Sequence, residues 1–340
     1  MNLITGAAGH LGNVLTRELL KRGEKVRALV LPGEKLNSLE GLDVEIVEGN
    51  ILNPEALQKA CEGVRHIYHM AALVGITADG IELMRRVNIE GTANVIEAAR
   101  KSGAERLIYT SSIHAFERPK HGTVIDETVP FDTNNPAGPY DQSKAEASVL
   151  VLEAAKKGLN AVTICPTGVI GPYDFSRSEM GGMFLDWMKK QPSISMEGHF
   201  DFVDVRDVAL GEIAVAEKGR SGEVYLLPGH HVDLSNLRRM VQKVAGIKTT
   251  EIKFTAGFAM LLAPLAELYY KVTKTRPRFT KYAVETLQSN SVVSHAKAER
   301  ELGYRARGLS ETVKDTVEWW INNLQHTKAT LRTTPLTSKR

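Results

Sequence analysis

Tyr140 and Lys144 are the two residues of this sequence whose types and spacing carry the clearest chemistry. They stand four positions apart just after Pro139, in a segment of helical character, and residues four apart on a helix share one face. A tyrosine, with an ordinary pKa of about 10, is a poor base at neutral pH, but a nearby ammonium lowers that pKa. Such a tyrosine can give a proton to a carbonyl oxygen or take one from an alcohol. The alternative is an ordinary exposed pair on a helix surface.

A run of three hydroxyl residues, Thr110-Ser111-Ser112, follows residues 106–110, which are predicted to form a strand. Hydroxyls at the carboxyl end of a strand in an α/β protein face the crevice where ligands bind. A serine there can hydrogen-bond a reacting oxygen and help to stabilise its charge. The alternative is plain turn chemistry, because serine favours loops.

Three glycines, Gly6, Gly9 and Gly12, stand at three-residue spacing between an apolar run at residues 2–5 and a predicted helix at residues 11–21. A glycine turn lets backbone pass close to a ligand, and the N-terminus of the following helix offers unpaired N–H groups that suit a pyrophosphate. This context predicts nucleotide binding. The alternative is a tight turn that needs glycine for steric reasons alone.

The elements that must position these residues alternate between strands and helices. Such a βαβ rhythm predicts a doubly wound parallel sheet of the Rossmann type, with ligands outside the carboxyl ends of its strands. That arrangement places Gly6, Ala71, Ser112 and Pro166 around one crevice. The further predicted strands are 25–30, 44–47, 66–70 and 161–165, and the further predicted helices are 54–60, 81–100 and 140–156.

The rhythm loosens after residue 170, which predicts a smaller, mostly helical C-terminal lobe that closes over the crevice. The expected division is a dinucleotide-binding domain over residues 1–170, a substrate-binding lobe over residues 171–324 with segments that return to the first domain, and a flexible tail over residues 325–340. The predicted elements of the lobe are helices at 178–190, 205–216, 235–245, 257–272 and 310–324 and a strand at 223–227.

Composition excludes several classes of protein. A net charge of +3 is too mild to argue for nucleic-acid binding. Two cysteines, Cys61 and Cys165, imply no disulfide framework, and the scattered histidines lack the spacing of metal ligands. The apolar segment 258–270 is too short to span a bilayer, so packing on the second lobe is its favoured role. With no room for a signal peptide before the first strand, a cytoplasmic protein is expected.

Together with further motifs in the same order, these features resemble the extended short-chain dehydrogenase/reductase family. More narrowly, residues 1–324 are similar to its dihydroflavonol-reductase-like and NAD-dependent epimerase/dehydratase members. The further matching segments are 70–72, 87–92, 165–172, 202–208 and 298–304. The segment 202–208 is interpreted as a structural junction without a catalytic role.

The resemblance implies a role for each matching residue. Tyr140 would be the general acid/base, Lys144 would lower its pKa and hold the nicotinamide ribose, and Ser112 would orient the substrate oxygen. Asn88 would support its helix and the proton path. The implied cofactor-binding residues are Gly6, Gly9, His10, Leu11, Gly12, Lys35, Asn50, Ile51, Ala71, Ala72, Ser111, Tyr140, Lys144, Pro166 and Val169.

Cofactor choice depends on the end of the second strand. NAD-preferring members place an acid there to bond the ribose hydroxyls, and NADP-preferring members place an arginine against the extra phosphate. This chain has Val30 and Leu31 instead, with Lys35 as the nearest cation. NAD and NADP both remain open, and the missing acid favours NADP.

Three functions are compatible with these sequence features. The first is a reductase or dehydrogenase that moves a hydride to or from a small-molecule carbonyl or secondary alcohol. The second is a nucleotide-sugar epimerase that retains NAD; Tyr173 stands where sugar-modifying members have arginine, which favours the first. The third, a non-catalytic nucleotide sensor, ranks last because such proteins lose the tyrosine–lysine pair. The resemblance also implies a homodimer through helices 81–100 and 140–156.

Overall fold

The structure, a computed structural model, describes residues 1–74, 80–120, 122–255, 257–258, 281–289 and 291–333. Twelve strands occur in these ranges. They are β1 (Asn2–Thr5), β2 (Val26–Val30), β3 (Glu45–Glu48), β4 (His66–His69), β5 (Arg106–Thr110), β6 (Ala161–Pro166), β7 (Gly168–Ile170), β8 (Ser193–Met196), β9 (His199–Asp204), β10 (Val224–Leu227), β11 (His230–Asp233) and β12 (Glu251–Phe254).

Eleven α-helices occur in the same described ranges. They are α1 (His10–Lys21), α2 (Pro54–Ala60), α3 (Ile81–Arg85), α4 (Gly91–Ser102), α5 (Pro139–Lys156), α6 (Glu179–Trp187), α7 (Val205–Lys218), α8 (Leu234–Val244), α9 (Lys281–Gln288), α10 (Ala296–Leu302) and α11 (Leu309–Thr333).

The central sheet confirms the predicted doubly wound architecture. Its seven strands follow the order β10-β6-β5-β4-β1-β2-β3, and every pairing is parallel. Parallel strands covered on both faces read as continuous apolar runs, which is why β1, β5 and β6 are almost wholly buried. Helices α1, α7 and α10 cover one face, and α2, α4 and α5 cover the other.

The helix predicted over residues 81–100 contains a π-helical turn. Helix α3 runs directly into this turn, Arg86–Glu90, and then into α4, which ends before Gly103 in the left-handed conformation. A π-bulge inserts one residue into a helix and re-aims its neighbours, and such bulges occur often at functional sites. Asn88 lies at the centre of this turn.

The second lobe contains short strands that the sequence does not predict. Strands β11, β9 and β7 form a three-stranded sheet, and β12 pairs with β8. These strands have three to six residues, too few for a period of two to be distinguished from turn sequence. Strand β10 extends the central sheet beside β6, and α7 packs against α1.

The C-terminal boundaries differ in detail from the sequence expectation. Helix α11 continues to Thr333, nine residues into the segment predicted to be a tail, and residues 334–340 lie outside the described ranges. Of the apolar segment 258–270 and the helix expected at 257–272, only residues 257 and 258 are described. Among the described residues, no helix combines the length and the apolar character needed to cross a membrane.

Candidate active site

Four neighbouring strands of the central sheet deliver the predicted residues to one edge. Gly6 follows β1, Ala71 follows β4, Ser112 follows β5 and Pro166 ends β6. These strands stand next to one another in the order β6-β5-β4-β1, and all four are parallel. Their carboxyl ends therefore line one side of the sheet, where ligands of such folds bind.

Backbone packing at the glycine turn leaves no space for side chains. Gly6 has a φ of +73°, and a Cβ at this position would lie 2.9 Å from the amide nitrogen of Ala71. A Cβ on Gly12 would overlap the carbonyl oxygen of Gly6. Glycine is thus required both by conformation and by the close approach of α1 to the turn.

The N-terminus of α1 suits an anionic group. The helix begins at His10 after Gly9, without a side-chain cap and without an acidic residue in its first turn. The first N–H groups of a helix have no intrahelical acceptor and carry a partial positive charge. The turn and the backbone of His10, Leu11 and Gly12 therefore fit the pyrophosphate of a dinucleotide.

His10 and Asn13 fasten this helix end to the second lobe. The Nε2 atom of His10 lies 2.9 Å from the Pro172 carbonyl, and the Asn13 amide donates to the carbonyls of Gly9 and Tyr173. The His10 ring is thus engaged in a tertiary contact. Asn13 was missed from the sequence, although a fully buried amide on the apolar face of α1 was the signal that could have indicated it.

The two adjacent serines have different surroundings. The Ser112 side chain interacts with the Tyr140 phenol and lowers its pKa. The Ser111 hydroxyl lies 2.6 Å from the Ser148 hydroxyl within α5, away from Tyr140. Because successive side chains of an extended segment point to opposite sides, only one of the two serines can face the tyrosine.

Tyr140 lies in the first turn of α5 and is a neutral phenol at ordinary pH. Burial raises its pKa to about 12, Ser112 lowers it and the adjacent Asp141 raises it. The predicted lowering by Lys144 is not found among these causes. That lowering stays a prediction, because four-residue spacing fixes the face of the helix but not the direction of a long, flexible side chain.

The Lys144 ammonium is directed to the end of β5. It donates a 2.7 Å hydrogen bond to the Thr110 carbonyl and lies 4.7 Å from the centre of the Tyr109 ring. Burial lowers the pKa of Lys144 to about 8, and the charges of Cys165 and Glu212 oppose that shift. The ammonium is thereby anchored directly behind the strand end that carries Ser112.

Asn88 connects the loop after β4 to the start of α5. Its Oδ1 accepts from the Leu73 amide at 2.8 Å, and its Nδ2 donates to the Leu73 carbonyl and to the Ser143 hydroxyl. Ser143 in turn donates to the Tyr140 carbonyl at 2.8 Å. The amide therefore links the helix that carries Tyr140 to the backbone that follows Ala72.

His69 is a buried residue of this edge that sequence reasoning missed. Its Nδ1 lies 2.8 Å from the Thr5 hydroxyl, which accepts from the Ala71 amide, and its Nε2 lies 3.0 Å from the Thr92 hydroxyl. Burial lowers the pKa of His69 to about 3, and the charge of Lys144 lowers it further. A neutral imidazole thus braces β1 against β4 where both strands meet the glycine turn.

Of the predicted cofactor-binding residues, Ile51 packs in the core, Asn50 bonds its own loop and Lys35 is exposed. The Ile51 side chain is buried against Gly91 in the core, and the Asn50 Oδ1 accepts from the Leu52 amide at 2.9 Å. Lys35 is exposed in the loop after β2. In the same loop, Glu34 folds back so that its carboxylate accepts from the Leu31 amide at 2.9 Å. The Glu34 carboxylate therefore lies at the end of β2, although Glu34 comes four residues after Val30 in the sequence.

A narrow cleft of about 30 Å³ extends from the tyrosine side of the site. His114 connects the two, because its ring stacks on Phe200 and meets the Tyr140 ring edge to face at a centroid distance of 6.2 Å. Asp141 accepts from Arg118 at 3.2 Å beside the cleft. The remaining lining mixes apolar with polar side chains, including Ile113, Phe116, Thr167, Asp201, Ser289 and Ser291.

Another cavity, of about 260 Å³, lies at the amino ends of the same strands. Charged groups that line it form ion pairs with one another. Arg22 pairs with Glu217 at 3.0 Å, and Arg65 pairs with Glu105 at 2.8 Å. Since ligands of parallel sheets bind at the carboxyl ends, this cavity is interpreted as a surface seam bridged by ion pairs. Among the described residues, no cluster of three or more potential metal ligands occurs.

The fold and this edge define the class of protein, a nicotinamide-dependent oxidoreductase of the extended short-chain dehydrogenase/reductase type. The chain belongs to the NAD-dependent epimerase/dehydratase family, whose family model matches residues 2–227. It is 32% identical over 324 residues to sterol demethylase protein B of Methylococcus capsulatus, with 94% of this chain and 97% of that protein covered. It is 28% identical over 324 residues to a putative dihydroflavonol 4-reductase of Synechocystis sp., with 94% of each covered.

Solved structures agree in fold. The crystal structure of gox2253 superposes with a TM-score of 0.83 at 31% identity, covering 95% of this chain and 98% of that one. UDP-glucuronic acid 4-epimerase from Bacillus cereus, solved in complex with NAD, gives a TM-score of 0.76 at 20% identity, with 95% and 99% covered. The second likeness concerns the fold alone.

Proposed function

We propose that this protein is a reductase or dehydrogenase that interconverts a carbonyl compound and a secondary alcohol with a nicotinamide cofactor. One observation carries the proposal: the Tyr140 phenol and the Ser112 side chain interact at the edge where the glycine turn fits a pyrophosphate. A proton donor beside a dinucleotide cradle is what carbonyl reduction requires.

Each residue of the site has a part in this chemistry. The bound cofactor supplies or accepts the hydride at the carbon atom of the substrate. Tyr140, a neutral phenol with a raised pKa, donates its proton to the oxygen as negative charge develops there. Ser112 donates a second hydrogen bond to the same oxygen. The Lys144 ammonium, anchored at Thr110, stabilises the phenolate that remains after the transfer.

The cleft supports a substrate with an apolar, ring-bearing body. Its aromatic walls, Phe116 and Phe200, and the stacked His114 offer flat surfaces, with few charges free of partners. The relatives at 32% and 28% identity carry names of sterol and dihydroflavonol enzymes, whose substrates are fused-ring compounds. We therefore expect a ring-bearing ketone or alcohol to be turned over in preference to a nucleotide sugar.

Glu34 supports NAD(H) as the cofactor. Its carboxylate stands at the end of β2, where it can accept from the ribose hydroxyls and would repel a 2′-phosphate. This observation runs against the sequence-based expectation of NADP, which depended on the missing acid at position 30. The acidic group comes instead from Glu34, four residues after Val30.

An epimerase that retains NAD is the second candidate. The family model, which describes NAD-dependent epimerases and dehydratases, favours its inclusion.

A homodimer through α3, α4 and α5 also remains a proposal, and the half-exposed Leu83 on α3 supports an apolar contact there. Light scattering of the purified chain tests the dimer.

Turnover of a substrate panel tests the function. Wild-type protein is assayed with NADH and NADPH against ring-bearing ketones, simple aldehydes and UDP-sugars. The variant Tyr140→Phe is expected to lower kcat by about 10²–10⁴-fold with cofactor affinity retained, since general acid catalysis contributes a factor of that size. Tyr225→Phe is the matched control, because this phenol bonds Glu301 far from the site. Unchanged turnover in Tyr140→Phe contradicts the proposal, whereas NAD that copurifies with a chain active only on UDP-sugars selects the epimerase.

A further inference from the structure

Glu212 is a buried carboxyl that the mechanism above does not use. It lies on α7 with no exposed surface, and its Oε1 accepts a 2.5 Å hydrogen bond from the Thr110 hydroxyl. Its Oε2 has no hydrogen-bond partner among the described residues. A buried carboxyl with one unsatisfied oxygen is costly, so its surroundings call for an explanation.

Thr110 is held from both faces of the central sheet. Its side chain points to the α7 face, where Glu212 accepts from it, and its carbonyl accepts from the Lys144 ammonium of α5 at 2.7 Å. It is the last residue of β5 and is followed directly by Ser111 and Ser112. The strand end that carries the serine is therefore clamped between a carboxyl and an ammonium.

The charged groups around this clamp identify Glu212 as the acidic partner of Lys144. The Lys144 ammonium is faced by Tyr109 of β5, Cys165 of β6 and His69 of β4, all of which are neutral at ordinary pH. From α7 it is faced by Glu212, whose charge favours the ionised ammonium.

Glu212 itself has few ionisable neighbours. Beside Lys144 and the Thr110 hydroxyl, it is coupled to Tyr68 of β4, whose pKa is raised by burial and by the charge of Glu212. Burial raises the pKa of Glu212 to about 8, and the ammonium lowers it. Both groups therefore titrate near pH 8, and over that range each favours the ionised form of the other.

We propose that Glu212 is a positioning residue for Lys144: through Thr110 it fixes the strand end that carries Ser112, and it supplies the buried counter-charge of the ammonium. The inference rests on the proposed function, in which Lys144 stabilises the phenolate of Tyr140. A purely structural carboxyl would need only the hydrogen bond from Thr110, which a glutamine would accept equally well. The counter-charge is what distinguishes the two roles.

Titration of Lys144 tests this link without substrate or cofactor. Protein labelled with ¹³C at the lysine Cε is titrated by NMR, and the Lys144 signal is assigned with Lys144→Met. In Glu212→Gln, the titration midpoint of Lys144 is expected to fall by about one pH unit, a tenfold weaker hold on the proton. Asp201→Asn is the matched control, since Asp201 is also a buried carboxyl that accepts from a threonine, and it should leave the Lys144 midpoint in place.

A second variant keeps the test decisive if Glu212→Gln does not fold. Thr110→Val removes the hydroxyl that stabilises the Glu212 anion, so the Lys144 midpoint should fall in the same direction by a smaller amount. An unchanged midpoint in the variant that folds overturns the proposal. If no carbonyl compound is turned over while the midpoint still shifts, the proposed function fails and the Glu212–Lys144 link stands.

Discussion

The ammonium of Lys144 donates its hydrogen bond to the carbonyl of Thr110, the last residue of β5, at 2.7 Å. The lysine is thereby attached to the strand that delivers Ser112, while Tyr140 lies one helical turn earlier on the same helix. Proton donor, serine and cation are consequently carried by two elements that this hydrogen bond joins. This coupling gives the site preorganisation, because fixing α5 against β5 fixes all three groups.

The two serines after β5 should differ sharply in their effect on turnover. Ser112→Ala is expected to lower kcat by about 10²-fold, since one donor to a developing oxyanion contributes an effect of that order. Ser111→Ala should stay within a few-fold of wild type, because its hydroxyl bonds Ser148 away from Tyr140. Steady-state kinetics of both variants with one substrate measure the difference. Equal losses in the two variants would show that Ser112 has no special role.

The direction of pH dependence follows from the raised pKa of Tyr140, about 12. A donor must be protonated, so carbonyl reduction should stay level across pH 6–11 and fall only as the pH rises through about 12. Alcohol oxidation needs the phenolate and should rise steadily towards the upper end of that range. Initial rates in both directions, measured across pH 6–11 in buffers of about constant ionic strength, compare the two. Parallel profiles would remove the acid/base role from this tyrosine.

Cofactor discrimination should respond to Glu34. Glu34→Lys is expected to raise the ratio of kcat/KM for NADPH over NADH by about tenfold or more, since a charge-assisted hydrogen bond contributes about 1.5–3 kcal/mol. Glu40→Lys makes the same change of charge at an exposed position of the following turn and should alter the ratio little. If the two variants shift the ratio equally, net charge and not position is responsible.

His69 should make the fold sensitive to acid. Its pKa is about 3 in the folded chain because of burial and about 6.5 when unfolded, so the unfolded chain binds the extra proton between these values. The stability difference between wild type and His69→Gln should therefore shrink as the pH falls below about 6.5, by about 1.4 kcal/mol per pH unit. Urea unfolding at pH 5, 6 and 7 measures that difference. His295→Gln, a substitution of an exposed histidine, should leave the pH slope of wild type unchanged.

The sequence by itself determined the parts of this protein that are local. The glycine spacing fixes a turn that no side chain can enter, the alternation of apolar runs and helical periods fixes a doubly wound sheet, and four-residue spacing puts Tyr140 and Lys144 on one helix face. These features depend on sterics and periodicity within a few residues. They were sufficient to predict a site at the carboxyl edge of the sheet.

Only the tertiary structure decided which groups meet across the chain. Ser112 faces Tyr140 and Ser111 does not, because the direction of each side chain depends on how β5 packs against α5. Glu212 reaches Thr110 from about a hundred residues away, and a carboxyl within an apolar helix looks the same in sequence whether it is solvated or buried. Contacts between distant segments are set by the packing of whole elements, which short-range patterns do not encode.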